Sequence, residues 1–288
     1  MSPETWTIRR IVSWIQGDLA ARGVGSPRLD AELIVAHALD VDRVKLYLDL
    51  DRPLSPSELG SIRALVARRR KREPIAYLRG RREFYGRDML VSPAVLVPRP
   101  ETETLVERAL ERLDAERPAR VLDLCTGSGC VGVTLLAERP RIRATLTDLS
   151  TEALAIAEQN AAKHGVLDRA TIAHGDLYDA LAAGEPPFDV VVANPPYLAP
   201  AERAGLEPDV RDFEPAMALF APDDGLALVE AIARGSVEHV APGGYVLLEI
   251  GASQGEAARG RLIAAGLVDV RVYPDLGGRA RVVEGRRA

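Results

Sequence analysis

The stretch VLDLCTGSGCVGV (121–133) decides the fold. An apolar run meets a turn built on Gly127 and Gly129, and a second apolar run starts directly after it. That order reads as strand, glycine turn, helix, where glycine lets the backbone approach a ligand closely. Asp123 opens the pattern D-x-x-x-G-x-G. No GK[ST] follows, so this is not a phosphate-binding loop of the nucleotide-triphosphatase kind. Gly127, Gly129 and Gly132 do satisfy the dinucleotide pattern G-x-G-x-x-G, a weak signal by itself.

Outward from this turn, strand-like and helix-like segments alternate. The strand candidates are 120–125, 144–149, 170–176, 188–193 and 244–250. TEALAIAEQNAAKHG (151–165) and DGLALVEAIARGSVEHV (224–240) read as helices between them. Such alternation predicts a doubly wound α/β sheet with parallel strands. LVDVRVY (267–273) and RARVVEG (279–285), joined by PDLGG, predict a closing hairpin at the sheet edge. Upstream, Ile8, Ile11, Val12, Ile15 and Leu19 share one helical stripe. Ser26-Pro27 predicts a second helix start with Ser26 as cap, and Ser55 with Glu58 has capping-box spacing. Helices joined by short loops predict a small bundle. The stretch 83–97 holds two β-like runs around turn residues, a hairpin linking bundle to sheet, and Pro100 opens a further helix.

In open α/β sheets ligands bind at the carboxyl ends of the strands. Asp148 ends the second strand and can accept from both hydroxyls of a ribose. Asp176, after the third, can accept from an adenine amino group. The fourth strand, FDVVVA, is cut off by Asn194-Pro195-Pro196-Tyr197. Prolines cannot donate to a ladder, and they fix the turn. A planar NH2 group is a poor nucleophile because its lone pair is conjugated, as in the peptide bond. It accepts a methyl group only where acceptors hold its N–H bonds and favour charge on nitrogen. The Asn194 side-chain oxygen and the Pro195 carbonyl can be those acceptors, and Tyr197 can cover the planar group. A nicotinamide site does not explain Asn194 to Tyr197, and no hydride-transfer acid or base accompanies the glycines.

At these residues the chain resembles the class I S-adenosylmethionine-dependent methyltransferases that act on planar NH2 groups. More closely it resembles the glutamine methyltransferases of peptide chain release factors, the HemK/PrmC family. The resemblance is carried by EPIAYLRGRREFYG (73–86), VLVPRPETE (95–103), DLCTGSG (123–129), LTDLS (146–150), ANPPYL (193–198), VRDFEPAMAL (210–219) and DGLAL (224–228). It implies a Rossmann-like domain with a seven-stranded mixed sheet over 99–288, a helical substrate-recognition domain over 1–82 and a β-hairpin linker over 83–98. It implies S-adenosylmethionine as cofactor, S-adenosylhomocysteine as product, and no metal. Cys125, Thr126, Gly127, Ser128 and Gly129 would line the methionine and ribose side, Asp148 the ribose, and Asp176 and Leu177 the adenine. Asn194, Pro195, Pro196 and Tyr197 would hold the target amide, with Asn194, Pro195 and Tyr197 catalytic and Asn194 also beside the cofactor. The target would be the glutamine of the factor's Gly-Gly-Gln loop. Arg99 and Glu101 would shape the mouth of the site. The family often has glycine where Cys125 stands; cysteine is small and commonly buried, so Cys125 reads as packing and not as a nucleophile. DLCTGSGC is shared with a sister family that methylates a glutamine of a large-subunit ribosomal protein; PRPE, in place of PRSP, favours the release factor.

Composition agrees with an enzyme of this kind. Of 288 residues, 47% are apolar and 27% charged, as in ordinary globular chains. No apolar run is long enough to span a membrane, and the first residues lack a signal-peptide core. Two cysteines close together argue against a disulfide framework and for a reducing cytoplasm. The four histidines are scattered without metal-ligand spacing. The first 85 residues carry 16 Lys+Arg against 11 Asp+Glu, while the rest is acidic. RRRKR (68–72) with Arg79, Arg81 and Arg82 offers a phosphate surface for a rival reading, a nucleic-acid amino methyltransferase. The acidic second half argues against duplex DNA, and direct nucleic-acid binding is not expected.

Overall fold

A computed structural model describes residues 5–288. They divide into two units, one running to Gly80 and including Glu207–Phe213, the other Arg81–Leu206 with Glu214–Ala288.

The first unit is helical: α1 (Ile8–Ala20), α2 (Pro27–Ala38), α3 (Arg43–Leu48), α4 (Pro56–Arg69) and α5 (Ile75–Arg79). Ile8, Ile11, Ile15 and Leu19 of α1 bury one stripe against Ile34, Val35, Ile62 and Val66, with Val12 at its margin. The capping box at α4 is complete: the Glu58 carboxylate accepts from Ser55 N–H at 2.7 Å, and Glu58 N–H donates to Ser55 Oγ at 3.2 Å. Ser26 stands at the start of α2 as expected, but its side chain makes no capping hydrogen bond.

The basic run is not a free phosphate surface. Arg69 is buried between Asp30 and Asp209, each 2.7 Å away. Arg68 pairs with Glu73, Arg70 with Asp18, and Arg72 with Asp209 and Glu207. Carboxylates thus offset the charge of these four arginines.

The second unit opens with β1 (Arg81–Phe84) and β2 (Arg87–Leu90), an antiparallel hairpin. Tyr85 and Gly86, at φ 50° and 69°, form its turn, as the twist of a two-residue hairpin requires. The rest of the stretch, 91–97, is not strand. Pro100–Thr102 forms a single 3-10 turn and leads into α6 (Glu103–Arg112). Then follow β3 (Ala119–Leu124), α7 (Cys130–Glu138), β4 (Ile142–Asp148), α8 (Thr151–Lys163), β5 (Ala170–His174) and β6 (Phe188–Ala193). The short α9 (Pro208–Phe213) lies in the stretch assigned to the helical unit. α10 (Ala227–His239), β7 (Val240–Glu249), α11 (Gly255–Ala264), β8 (Val268–Pro274) and β9 (Ala280–Arg286) complete the chain.

The sheet has seven strands in the order β5-β4-β3-β6-β7-β9-β8. The first five are parallel; β9 runs antiparallel to β7 and β8. This is the predicted mixed sheet with a hairpin at its edge. Both faces are covered, which explains why FDVVVA is apolar but for the exposed Asp189 near its start. Val190 and Val192 face the core that holds Leu105, Val106 and Ala157, while Val191 and Ala193 face Val229, Ile232 and Leu262. Chain order reverses between β3 and β6, so the crevice for a ligand opens at their carboxyl ends.

Candidate active site

Strand register assembles the site. Leu124 pairs with Thr147 on one side and Ala193 on the other, and Ala193 pairs with Leu248. One residue further on, Cys125, Asp148, Asn194 and Glu249 therefore stand at the same end of four adjacent strands.

Asp123 is buried within β3. Its Oδ2 accepts from Thr126 Oγ1 at 2.6 Å and from Gly132 N–H at 2.9 Å. Burial lifts its carboxyl to about 7 against those two hydrogen bonds. A Cβ at Gly132 would lie 2.8 Å from that oxygen, so glycine is required where α7 approaches the strand. Gly127, at φ 55°, has open space where a side chain would stand.

Asp148 is oriented from both sides. Its Oδ2 accepts from Gly127 N–H and its Oδ1 from Ser150 N–H, each at 2.9 Å. Every carboxylate oxygen thus keeps lone-pair capacity for an outside hydroxyl. Asp176 is exposed at the end of β5, and Leu177 follows it at φ 46°. Cys125 is held at φ 54°, the left-handed region that glycine occupies without strain. Burial raises its thiol far above neutrality and pushes that of Cys130 up to about 12. Neither is a thiolate nucleophile at neutral pH.

After β6, Asn194 donates through Nδ2 to Thr102 Oγ1 at 3.3 Å. Pro195 and Pro196 are buried. The Tyr197 hydroxyl points to Glu249 Oε1 at 3.5 Å, and burial beside that carboxyl pushes it up to about 12. The Tyr197 carbonyl accepts from Gln254 Nε2 at 2.9 Å. A Cβ at Gly225 would collide with the same carbonyl, which accounts for glycine in the DGLAL motif. Arg99 bonds Glu214 at 2.6 Å, joining the VPRPE and FEPAM segments. The 198–223 segment pairs Leu198 with Leu219 and Ala221 through the backbone. It returns Pro215, Met217 and Ala218 to the wall of the cavity.

All this surrounds one cavity of about 320 Å³, within the range of small-molecule sites. Cys125, Thr126, Gly127 and Ser128 line it, as do Asp148, Asp176 and Leu177 from the next two strands. Asn194 and Pro196 line it from the fourth. Three expected residues stand outside its wall. Gly129, at φ 77°, packs against Ala157, where a Cβ would come within 3.1 Å. Pro195 is covered, and Tyr197 turns its hydroxyl to Glu249. Of the two residues expected at the mouth, Arg99 lines the cavity and Glu101 does not.

Sequence reasoning missed Thr102, Glu249 and Asn160. Asn160, fully buried on α8, accepts from Leu90 N–H at 2.7 Å and donates to Leu90 O at 3.0 Å and Ser128 O at 2.8 Å. Glu249 had a readable signal: YVLLE ends a buried parallel strand in a carboxylate, as TLTD does at Asp148.

The sheet order and the glycine turn at its centre define a methyltransferase-like α/β domain. Residues 102–207 match the methyltransferase small domain, and residues 10–80 match the PrmC N-terminal domain. A methyltransferase of Pyrococcus furiosus shares the fold, with a TM-score of 0.52 at 17% identity over 71% of this chain and 91% of its own. The release factor glutamine methyltransferase of Geobacter sulfurreducens is 43% identical over 99% of this chain and 98% of its own length. That of Cereibacter sphaeroides is 47% identical over 93% and 94%. The chain belongs to the release factor glutamine methyltransferase family.

Proposed function

We propose that this protein methylates the side-chain amide nitrogen of the Gly-Gly-Gln glutamine in peptide chain release factors, in the cytoplasm, with S-adenosylmethionine as donor. The residues present fit that donor. Asp148, with each oxygen fixed by one backbone N–H, would take the two ribose hydroxyls. Asp176 and Leu177 would flank the adenine, and the bare backbone at Gly127 leaves room for the methionine portion beside Thr126 and Ser128. Bound there, S-adenosylmethionine supplies an electrophilic methyl carbon on a sulfonium sulfur.

The observation that carries the reading is the orientation of Asn194. Its Nδ2 is engaged by Thr102, so its Oδ1 remains as an acceptor at the cavity wall. An amide N–H held by that oxygen builds electron density on nitrogen as the N–C bond forms; the Pro195 carbonyl, buried just outside the cavity wall, would hold the second N–H where the bound glutamine reaches past that wall. The S–CH3 bond would break as the N–C bond forms, leaving a neutral thioether, and the nitrogen would pass one proton to water and regain its planar conjugation. Pro195 and Pro196 keep both acceptors rigid, which is the orientational part of the rate. Tyr197, tethered at its hydroxyl and its carbonyl, would brace this turn from beneath.

The test is transfer of radiolabelled methyl to purified release factor, to the factor with its Gly-Gly-Gln glutamine replaced, to ribosomal protein and to DNA. Label should enter the intact factor alone, and Asn194→Ala should slow transfer about 100-fold or more. Label on DNA or on ribosomal protein in preference to the factor overturns the assignment. The internally paired arginines of 68–72 weigh against the nucleic-acid alternative.

A further inference from the structure

An asparagine amide has two ends of nearly equal shape, so packing alone does not choose which one faces a substrate. The choice matters here: Oδ1 accepts from a glutamine NH2, whereas Nδ2 would oppose it donor to donor. Something must set the orientation of Asn194.

Among the described residues, the hydrogen-bond partner of the Asn194 side chain is Thr102 Oγ1, at 3.3 Å. A threonine hydroxyl can accept from Asn194 or donate to it. Where its single proton points depends on the other group the hydroxyl bears on, the carboxyl of Glu249. Glu249 is 1% exposed at the end of β7. The Tyr197 hydroxyl reaches its Oε1 at 3.5 Å, and Oε2 has no hydrogen-bond partner among the described residues. The Thr102 hydroxyl bears on the same carboxyl and favours its charged form. An ionised carboxylate can only accept.

We propose that Glu249 is a positioning residue: it draws the Thr102 hydroxyl proton to itself, so that Thr102 accepts from Asn194 Nδ2 and Asn194 Oδ1 is left for the substrate amide. The proposal deepens the methyl-transfer reading and rests on it. Protonation of Glu249 reverses the chain. A neutral carboxyl can donate, which frees the Thr102 proton to point at Asn194, and the amide turns its NH2 towards the cavity. The groups facing Glu249 place this switch close to neutrality. Burial raises its carboxyl to about 7; Glu101 on the 3-10 turn works in the same direction. Arg281 on β9, with the Thr102 and Tyr197 hydroxyls, opposes it. Cys130 on α7 is near enough to feel its charge but stays a neutral thiol.

The experiment compares the parent with Glu249→Gln, Thr102→Val and Thr102→Ser. Its readouts are single-turnover methyl transfer to release factor across pH, affinity for S-adenosylhomocysteine, and the side-chain NH2 resonances of Asn194 assigned by their loss in Asn194→Ala. Thr102→Val should lower the rate about 100-fold, the scale of one transition-state hydrogen bond, and Thr102→Ser should recover most of it. Glu249→Gln should lower the rate about 10-fold and abolish the acid limb near pH 7. Nucleoside affinity should stay within about threefold throughout, because neither side chain touches Asp148. The Asn194 resonances of the parent should shift with a midpoint near 7 and stay fixed in Glu249→Gln. A merely structural role would alter folding or affinity without moving that titration. Should the parent methylate no release factor, the substrate assignment falls and the resonances alone decide this proposal. Asn194 resonances that do not titrate in the parent overturn it, as do parental rates in both Glu249→Gln and Thr102→Val.

Discussion

Replacing Asn160 by leucine tests whether the glycine turn is held by a neighbour the motifs do not contain. Asn160 is fully buried, and its amide serves Leu90 N–H, Leu90 O and Ser128 O at 2.7, 3.0 and 2.8 Å. Leucine has similar bulk and no polar atom. Each stranded buried group costs about 1–3 kcal/mol. Leu90 is only partly buried, so water can reach its two groups and the low end applies to them. The Ser128 carbonyl is deeper and costs about 2 kcal/mol. The sum is about 4 kcal/mol, reduced by about 1 for the added apolar burial.

A loss of about 3 kcal/mol should lower the melting temperature of the sheet domain by about 6–12 °C. Calorimetric melting measures this directly. Because Ser128 lines the cavity, titration calorimetry should also find S-adenosylhomocysteine bound about 10-fold more weakly, a change of about 1.4 kcal/mol. Asn160→Ala leaves space for a water to replace part of the amide and should fall between parent and Asn160→Leu in stability. Melting of Asn160→Leu within about 3 °C of the parent, equivalent to roughly 1 kcal/mol, together with unchanged affinity, would refute the reasoning.

Other expectations follow from single features. Asp148→Ala removes two charge-assisted acceptors of about 1.5–3 kcal/mol each and should weaken S-adenosylhomocysteine at least about 100-fold by calorimetry, whereas Asp176→Ala, at an exposed position, should cost about 10-fold. Arg69→Met leaves Asp30 and Asp209 without the cation between them and should destabilise the helical unit by about 3–5 kcal/mol in urea titrations. Cys125→Gly relieves a left-handed backbone costing about 1–2 kcal/mol; after the entropy of glycine, about 0.5–1 kcal/mol, a small rise in melting temperature is expected. Glu249 takes up its proton near 4.5 unfolded and near 7 folded. Its folded pKa is the higher, so the native state binds the extra proton and loses stability as pH rises through that window. Glu249→Gln should therefore gain about 3 kcal/mol on the parent between pH 4.5 and 8, measured by urea unfolding at each pH.

Much of the site was legible because it obeys a local rule. Asp148 and Asn194 end apolar runs, and the ends of parallel strands are where an α/β sheet binds ligands. Other features are decided by partners far away in sequence. VSPAVLV has strand-like β-branched residues, yet Pro93 and Pro98 deny it a full ladder; it becomes cavity wall instead. α11 went unseen because its buried face is only Gly255, Ala258 and Leu262, too sparse to show an apolar stripe. RRRKR looked like a phosphate surface because its carboxylates come from elsewhere: Asp18 lies 52 residues from Arg70, and Asp209 lies 137 from Arg72.

The same distinction separates the two kinds of residue in the reaction. Asn194 is readable because it must stand at a strand end between a rigid turn and the substrate. Of the residues that aim it, Glu249 is set beside Asn194 by strand register, and Thr102 comes from the turn before α6. A motif therefore supplies the acceptor but not its direction. If direction were set by the Asn-Pro-Pro-Tyr turn alone, Glu249 could be neutral or absent without consequence, and a fully buried carboxyl with an unpartnered oxygen would be a cost with no return. Its persistence at about 7 in the folded protein is what makes the orientation of one amide, and not the presence of the motif, the quantity that pH should control.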